Sequence, residues 1–254
     1  MTAPNTLAAR ARRGSTTEGR STSELREIVS HVGAELELAP AEDIIEWAVA
    51  TFGDRFAITS SMGDAVLAHL AATVSPGIDV VFLDTGYHFV ETIGTRDAVE
   101  ATLPVTLRTV SAAQTVAEQD AEYGKDLFRT DPDLCCALRK VKPLADALTS
   151  YDAWATGLRR AETHNRVIAP VVGWDARKGK VKVSPLARWS DEQVDTYIAD
   201  HNILVNPLVH DGYPSIGCWP CTRPTAEGEN ERAGRWTGFD KSECGIHTFL
   251  GDSI

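Results

Sequence analysis

The feature that most constrains this chain is the alternation of its hydrophobic pattern between residues 41 and 157. Short apolar runs take turns with longer amphipathic stretches. A short run that is apolar throughout suits a strand covered on both faces, and an amphipathic stretch suits a helix covering it. The order therefore specifies an α/β fold, a mostly parallel twisted sheet flanked by helices. Residues 41–52 (AEDIIEWAVATF) read as a helix stopped at Gly53, 55–60 (RFAITS) as a buried strand, 64–74 as a helix and 78–84 (IDVVFLD) as a second strand. A further helix–strand unit ends in 104–110 (PVTLRTV); 134–149 read as a helix and 152–157 (DAWATG) as a fourth strand. A helix over 190–201 carries Ser190 as N-cap, with Asp191 and Glu192 in its first turn. Beyond Asn206 the chain is rich in Gly and Pro, and ligation is what would order it. Three parts follow: a disordered tail over 1–22, a nucleotide-binding α/β domain over 23–205, and a C-terminal cluster-binding segment with a catalytic tail over 206–254.

A net charge of −11 disfavours nucleic acid as a partner, because a phosphate backbone needs a basic surface. A small anion remains compatible if the basic residues gather locally. No run of 18 apolar residues suggests a membrane span, and no apolar signal region follows Met1. The first 20 residues hold Arg10, Arg12, Arg13 and Arg20 with one acid, Glu18, a composition like a transit peptide without its amphipathic period. A disordered basic tail is the expectation.

Three strand ends carry small or polar residues. The loop Ser60, Ser61, Met62, Gly63, Asp64 lies between a strand and a helix, where backbone N–H groups and a helix N-terminus favour an anion. An ordinary turn with a Ser cap would look the same. Leu83-Asp84-Thr85-Gly86 and Thr156-Gly157 end the second and fourth strands, and jointly the three ends would build one adenosine-sized cleft.

The five cysteines are an adjacent pair, Cys135-Cys136, a C-x-x-C at Cys218 and Cys221, and Cys244. An odd count in this arrangement is unlike a secreted disulfide framework and points to a reducing compartment, the cytoplasm. Four thiolates suit Zn²⁺ or a [4Fe–4S] cluster. Adjacent ligands are awkward around one tetrahedral ion, which favours the cluster; two buried cysteines and a turn are the bland alternative. Cys244, in Glu243-Cys244-Gly245-Ile246-His247, is either a nucleophile served by Lys241 and His247 or an incidental surface thiol. Basic residues gather near these motifs: Arg139, Lys140 and Lys142 after the pair, Arg159, Arg160 and Arg166 after the fourth strand, and Arg223, Arg232 and Arg235 after the C-x-x-C.

The segments SSMGDAVL, FLDTGYHFVET, CCALRKVKPL, ATGLRR, NPLVHDGYPSIGCWPC and ECGIH resemble the assimilatory adenylyl-sulfate (APS) and phosphoadenylyl-sulfate (PAPS) reductases over roughly 55–247. The resemblance implies a nucleotide-hydrolase-like fold related to ATP pyrophosphatases. It implies adenosine held by Ser60, Ser61, Met62, Gly63, Asp64, Leu83 and Gly157. It implies phosphosulfate at Lys140, Arg232, Arg235 and His247, with Arg166 a further substrate arginine. Cys135, Cys136, Cys218 and Cys221 match the ligands of one [4Fe–4S] cluster per chain, and Cys244 matches the nucleophile. The loop lacks the S-G-G-x-D-S form of ATP-cleaving relatives, which argues against ATP chemistry. No thioredoxin-like domain of the kind fused to plant members is present in the 254 residues, so the basic N-terminus is not expected to be a plastid address.

The expected activity is reduction of APS to sulfite and AMP in sulfate assimilation, through an S-sulfocysteine on Cys244 that an external thioredoxin discharges. A homo-oligomer is compatible with it. The rivals are a PAPS reductase, a tRNA-thiolating relative, which would need an ATP loop and a basic surface, and a non-catalytic iron–sulfur redox sensor, which leaves Cys244 and the cleft unexplained.

Overall fold

The computed structural model describes residues 19–247. Its centre is a six-stranded sheet in the order β3-β2-β1-β4-β6-β5. The strands are β1 (Phe56–Thr59), β2 (Asp79–Asp84), β3 (Thr106–Ser111), β4 (Ala153–Thr156), β5 (Val172–Asp175) and β6 (Lys180–Val183). All neighbours are parallel except β5, which pairs antiparallel with β6 at one edge. The four strands read from the pattern are present within two residues at each end. The β5–β6 hairpin was not anticipated.

Alternation along the inner strands feeds two cores. Phe56 and Ile58, Val80 and Phe82, and Ala153 and Ala155 face the larger core. Ala57, Val81 and Trp154 face the other side with Leu144, Leu148 and Tyr151. The larger core is closed by α1 (Thr22–Leu36), α2 (Ala41–Phe52), α3 (Val66–Val74) and, later in the chain, the helix Asp191–His201. α1 begins in a capping box, the Ser21 hydroxyl accepting from the Glu24 N–H while the Glu24 carboxylate accepts from the Ser21 N–H. α4 (Val90–Thr102) joins β2 to β3, and α5 (Val116–Tyr123) and α6 (Leu127–Thr130) follow β3.

Two expectations need correction. Disorder was expected through residue 22, but Arg20 pairs with buried Asp152 at 3.2 Å and donates to the Thr51 carbonyl at 2.6 Å. Residues 1–18 lie outside the described residues, as do the last seven, 248–254. The helix expected over 134–149 is interrupted: α7 (Pro132–Cys136) passes into a π-helical turn (Ala137–Val141) before α8 (Lys142–Ala147). The later helix is α9 (Asp191–His201), with Ser190 in a capping box with Gln193 as its N-cap.

Beyond α9 the backbone forms short 3₁₀ turns and loops tied to the sheet. Asp64 bridges Val205, and buried Asn206 donates to the Met62 carbonyl at 3.0 Å. That junction fixes the loop after β1 from behind. Among the described residues no helix is long and apolar enough to cross a membrane.

Candidate active site

From β1 the chain winds outward to β2 and β3, then returns to place β4 and β6 on the other side. The reversal falls between β1 and β4, and in an open parallel sheet it leaves a crevice beyond the carboxyl ends of those strands. A cavity of about 310 Å³ lies there, near the lower bound for small-molecule sites.

The loop after β1 supplies Ser60, Ser61, Gly63 and Asp64 to its wall. The Ser60 hydroxyl accepts from the Met62 N–H at 3.2 Å, and Asp64 accepts from Val66 N–H at the start of α3. Met62 holds the turn in the left-handed region, φ 59°, and buries its side chain in the larger core. Of the five loop residues expected to hold adenosine, Met62 alone does not line the cavity. Leu83 and Gly157, at the ends of β2 and β4, do. Burial of the Asp64 carboxyl raises its pKa.

Lys140, Arg166, Arg232 and Arg235 bring the expected cations to the same cavity, whose wall also carries Cys244 and His247. Arg235 donates to the Ser215 hydroxyl at 3.2 Å and lies over the Trp236 ring at 4.5 Å. Its guanidinium packs so closely on Gly217 that a Cβ there would come within 2.2 Å. Arg232 donates to the Ser242 carbonyl at 2.9 Å. The other basic residues have different work. Arg139 is a buried strut donating to the Thr85 carbonyl and Gln119, Lys142 pairs with Asp146, and Arg223 pairs with Glu229. Sequence reasoning missed His88 and Ser215 on the wall, although both lie inside motifs it singled out; His88 holds the Leu83 carbonyl through Nε2 at 2.7 Å.

The four paired cysteines share a separate recess. Cys135 and Cys136 at the end of α7 face Cys218 and Cys221 across it, with Tyr87 and Phe128 packed around them. All are free thiols. Burial, then the neighbouring thiols, push Cys135 up to about 12; burial pushes Cys136 up to about 11 against the pull of Lys140. Among the described residues no group of three or more His, Cys, Asp or Glu is arranged to hold a metal ion. Lys140 lines both this recess and the large cavity. Burial opposes its charge, but Cys218, Cys244 and Cys136 outweigh it and raise its pKa.

The segment Lys241–His247 forms a partition. Glu243, Cys244 and His247 line the substrate-sized cavity on one side and a second cavity of about 390 Å³ on the other. His247 lies parallel to the buried Trp154 ring at 6.2 Å, with interplanar angle 2°. Burial, then Lys182, Arg166, Lys178 and Arg232, hold its pKa well below the ordinary value, so it is a neutral ring beside the site.

A switch-point cleft with a helix N-terminus, gathered cations and a thiol on its wall defines an α/β protein with the features of an anion site beside a cysteine. Comparison with known proteins narrows the class. The phosphoadenosine phosphosulfate reductase domain matches residues 55–224, and the chain belongs to that family. It is 62% identical over 230 residues to the adenosine 5′-phosphosulfate reductase of Streptomyces coelicolor, covering 91% of this chain and 98% of that one. It is 53% identical over 225 residues to the like-named protein of Mycolicibacterium smegmatis, covering 89% and 95%. The PAPS reductase of Candida auris, solved as a phosphate complex, superposes with a TM-score of 0.66 at 26% identity, covering 81% of this chain and 98% of that one. The FMN adenylyltransferase of Candida glabrata, TM-score 0.51 at 13% identity over 94% and 84%, shares the fold.

Proposed function

We propose that this chain is an APS reductase of sulfate assimilation, with Cys244 as its nucleophile and thioredoxin as its reductant. The observation that carries the reading is the position of Cys244 on the wall of the cavity that also holds Ser60–Asp64, Lys140, Arg232 and Arg235. The adenosine would lie along the strand-end loops and the phosphosulfate toward the three cations. The Cys244 thiolate attacks the sulfonate sulfur. An S–S bond forms, the S–O bond to the phosphate breaks, and AMP leaves with the electron pair. Lys140, Arg232 and Arg235 offset the charge that builds on the leaving phosphate. One thiol of reduced thioredoxin then attacks Cys244 Sγ and expels sulfite; its second thiol resolves the mixed disulfide, so the two electrons come from the dithiol. The second cavity on the far side of the partition supports an approach of that thiol to Cys244.

The donor chemistry of the cysteine recess suits an iron–sulfur cluster, although the thiols are not gathered as around a single metal ion. Four free, soft thiols line one pocket, and their ionisation is felt from one to the next. Cys135, Cys136, Cys218 and Cys221 would hold a single [4Fe–4S] cluster. When bound, it would tie α7 to the C-terminal segment and add charge beside Lys140.

Three further arginines bear on the choice of nucleotide. Arg159 pairs with Asp191, Arg160 with Glu37, and Arg166 with Glu162 and Glu243. Each already has a carboxylate partner that a 3′-phosphate would have to displace, which favours APS over PAPS.

The test is incubation with ³⁵S-labelled APS without reductant, followed by peptide mapping. A labelled sulfonate on Cys244, absent from a folded Cys244→Ser variant, is the expected result. Label elsewhere, or none, overturns the reading.

A further inference from the structure

Arg166 looks, from its surroundings in the sequence, like one more cation for the substrate. Its contacts say otherwise. Nε donates to Glu243 Oε1 at 2.7 Å and Nη2 to Glu243 Oε2 at 2.9 Å, a bidentate pair, while Nη1 donates to Glu162 at 2.5 Å. All three nitrogens are thus committed to carboxylates. The side chains of Arg166 and Glu243 are 7% and 14% exposed, so this is no solvated surface bridge. Glu243 Oε2 also lies 3.5 Å from Arg232, so two guanidiniums share the two carboxylates and the group is near neutral, with little net attraction to an anion.

Arg166 itself is well anchored. It ends a 3₁₀ turn (His164–Arg166), its N–H donates to Thr163, and its carbonyl accepts from Ala169. Glu162 is fixed by accepting from the Arg159 N–H at 2.8 Å. Glu243 adjoins Cys244 in the chain. On the other flank, Lys178, paired with buried Asp175, donates to the Ile246 carbonyl at 2.8 Å. Gly245, at φ 82°, makes the turn between the two flanks.

We infer that Arg166 and Glu243 are positioning residues: their ion pair clasps the chain next to Cys244 and fixes the thiol over the cavity, and Arg166 does not bind substrate. The inference rests on Cys244 being the nucleophile. A bidentate pair one residue away restricts both place and direction of Sγ, and a misplacement of about 1 Å can cost on the order of 100-fold in rate.

The test uses the full-length, cluster-loaded protein with Arg166→Ala, Glu243→Ala and the double variant. Single-turnover formation of the Cys244 adduct should fall about 100-fold in each single variant, by the positioning argument above. The double variant should be no slower than the worse single, since both remove one interaction. AMP affinity should stay within about twofold, and iodoacetamide should label Cys244 faster in all three. Weakened AMP binding in Arg166→Ala with normal adduct formation would make Arg166 a substrate anchor and overturn the clasp. So would unchanged labelling of Cys244. If Arg166→Ala does not fold, Glu243→Ala and Glu243→Gln carry the same readouts with Arg166 left in place; Glu243 also lies 3.5 Å from Arg232, so Arg232→Ala is measured beside them to separate loss of the clasp from loss of that cation. Absence of any Cys244 adduct in the unaltered protein would sink the nucleophile assignment instead, while the labelling rates would still report on the clasp.

Discussion

Lys140 joins the two halves of the chemistry, because its side chain borders both the cysteine recess and the nucleotide cavity. Lys140 follows Cys136 by four residues, and the π turn over Ala137–Val141 between them leaves both side chains lining the cysteine recess. Lys140→Ala should therefore lower kcat/KM for APS by at least about tenfold, roughly the loss of one charge-assisted contact at the sulfonate end. AMP affinity, measured by calorimetry, should hardly change; equal losses would put Lys140 on the shared α-phosphate. His247 makes a pH prediction of known sign. Released, its ring titrates near 6.5; docked on Trp154, with Lys178 and Lys182 from the hairpin, Arg166 and Arg232 around it, its pKa lies well below. Above pH 6.5 neither state takes the proton. As pH falls through 6.5, the released tail binds a proton that the docked tail refuses, so docking weakens. Amide exchange of residues 242–247, corrected for its intrinsic rate, should quicken from pH 7.5 to 5.5, and His247→Phe should flatten that rise. This residue-level detail was only half legible. Identity and spacing named Cys244 and the cations, but not which guanidinium was already held by carboxylates, since Glu162 and Glu243 are separated by 81 residues of chain and meet only in the fold.

At the scale of elements, β1, β2 and β4 were readable because burial on both faces makes their central residues an unbroken apolar run. The hairpin was not. β6 reads KVKV, four residues in which Lys180 and Lys182 alternate with Val181 and Val183, and β5 lies at an edge. Its importance comes from tertiary contact: the hairpin brings Lys178 to the tail and Lys182 to the face of Trp154. The irregular segment after Asn206 was readable as needing ligation, and the cysteine recess is where that ligation would act. Anaerobically purified protein should hold about four irons per chain, given four thiolate ligands. Cys221→Ser should lose the iron and loosen 206–247, seen as faster proteolysis there, whereas Cys244→Ser should keep the iron and lose sulfite production. Stoichiometric zinc in place of iron, or loss of iron from Cys244→Ser, would contradict the ligand assignment.

Over the whole molecule, a charge of −11 has to coexist with a site for a multiply charged anion. Among the described residues many basic side chains are held by carboxylates, and few are directed at the cavity. Arg159, Arg160 and Arg166 hold Asp191, Glu37 and the Glu162–Glu243 pair, so they brace the loop after β4. Lys140, Arg235 and Arg232, the last with a longer 3.5 Å contact to Glu243, line the cavity together with Cys244. This division decides between the two nucleotides. A 3′-phosphate adds roughly two negative charges and must be met by cations of its own. Glu162, Glu231 and Asp64 also border the cavity, so an unmatched phosphate would face carboxylates. Taking Arg166 from Glu162 and Glu243 would leave largely buried acids unpaired, a cost of about 1–3 kcal/mol, whereas Arg159 and Arg160 would give up more exposed pairs worth at most about 1 kcal/mol. The first cost alone corresponds to roughly 10- to 100-fold in binding. We therefore expect kcat/KM for APS to exceed that for PAPS by at least about tenfold with the same thioredoxin. The preference should narrow in Asp191→Asn, which frees Arg159, itself on the cavity wall, without changing a wall residue. Equal use of the two nucleotides by the unaltered protein, or a preference for PAPS, would mean that one of these arginines leaves its carboxylate when substrate binds.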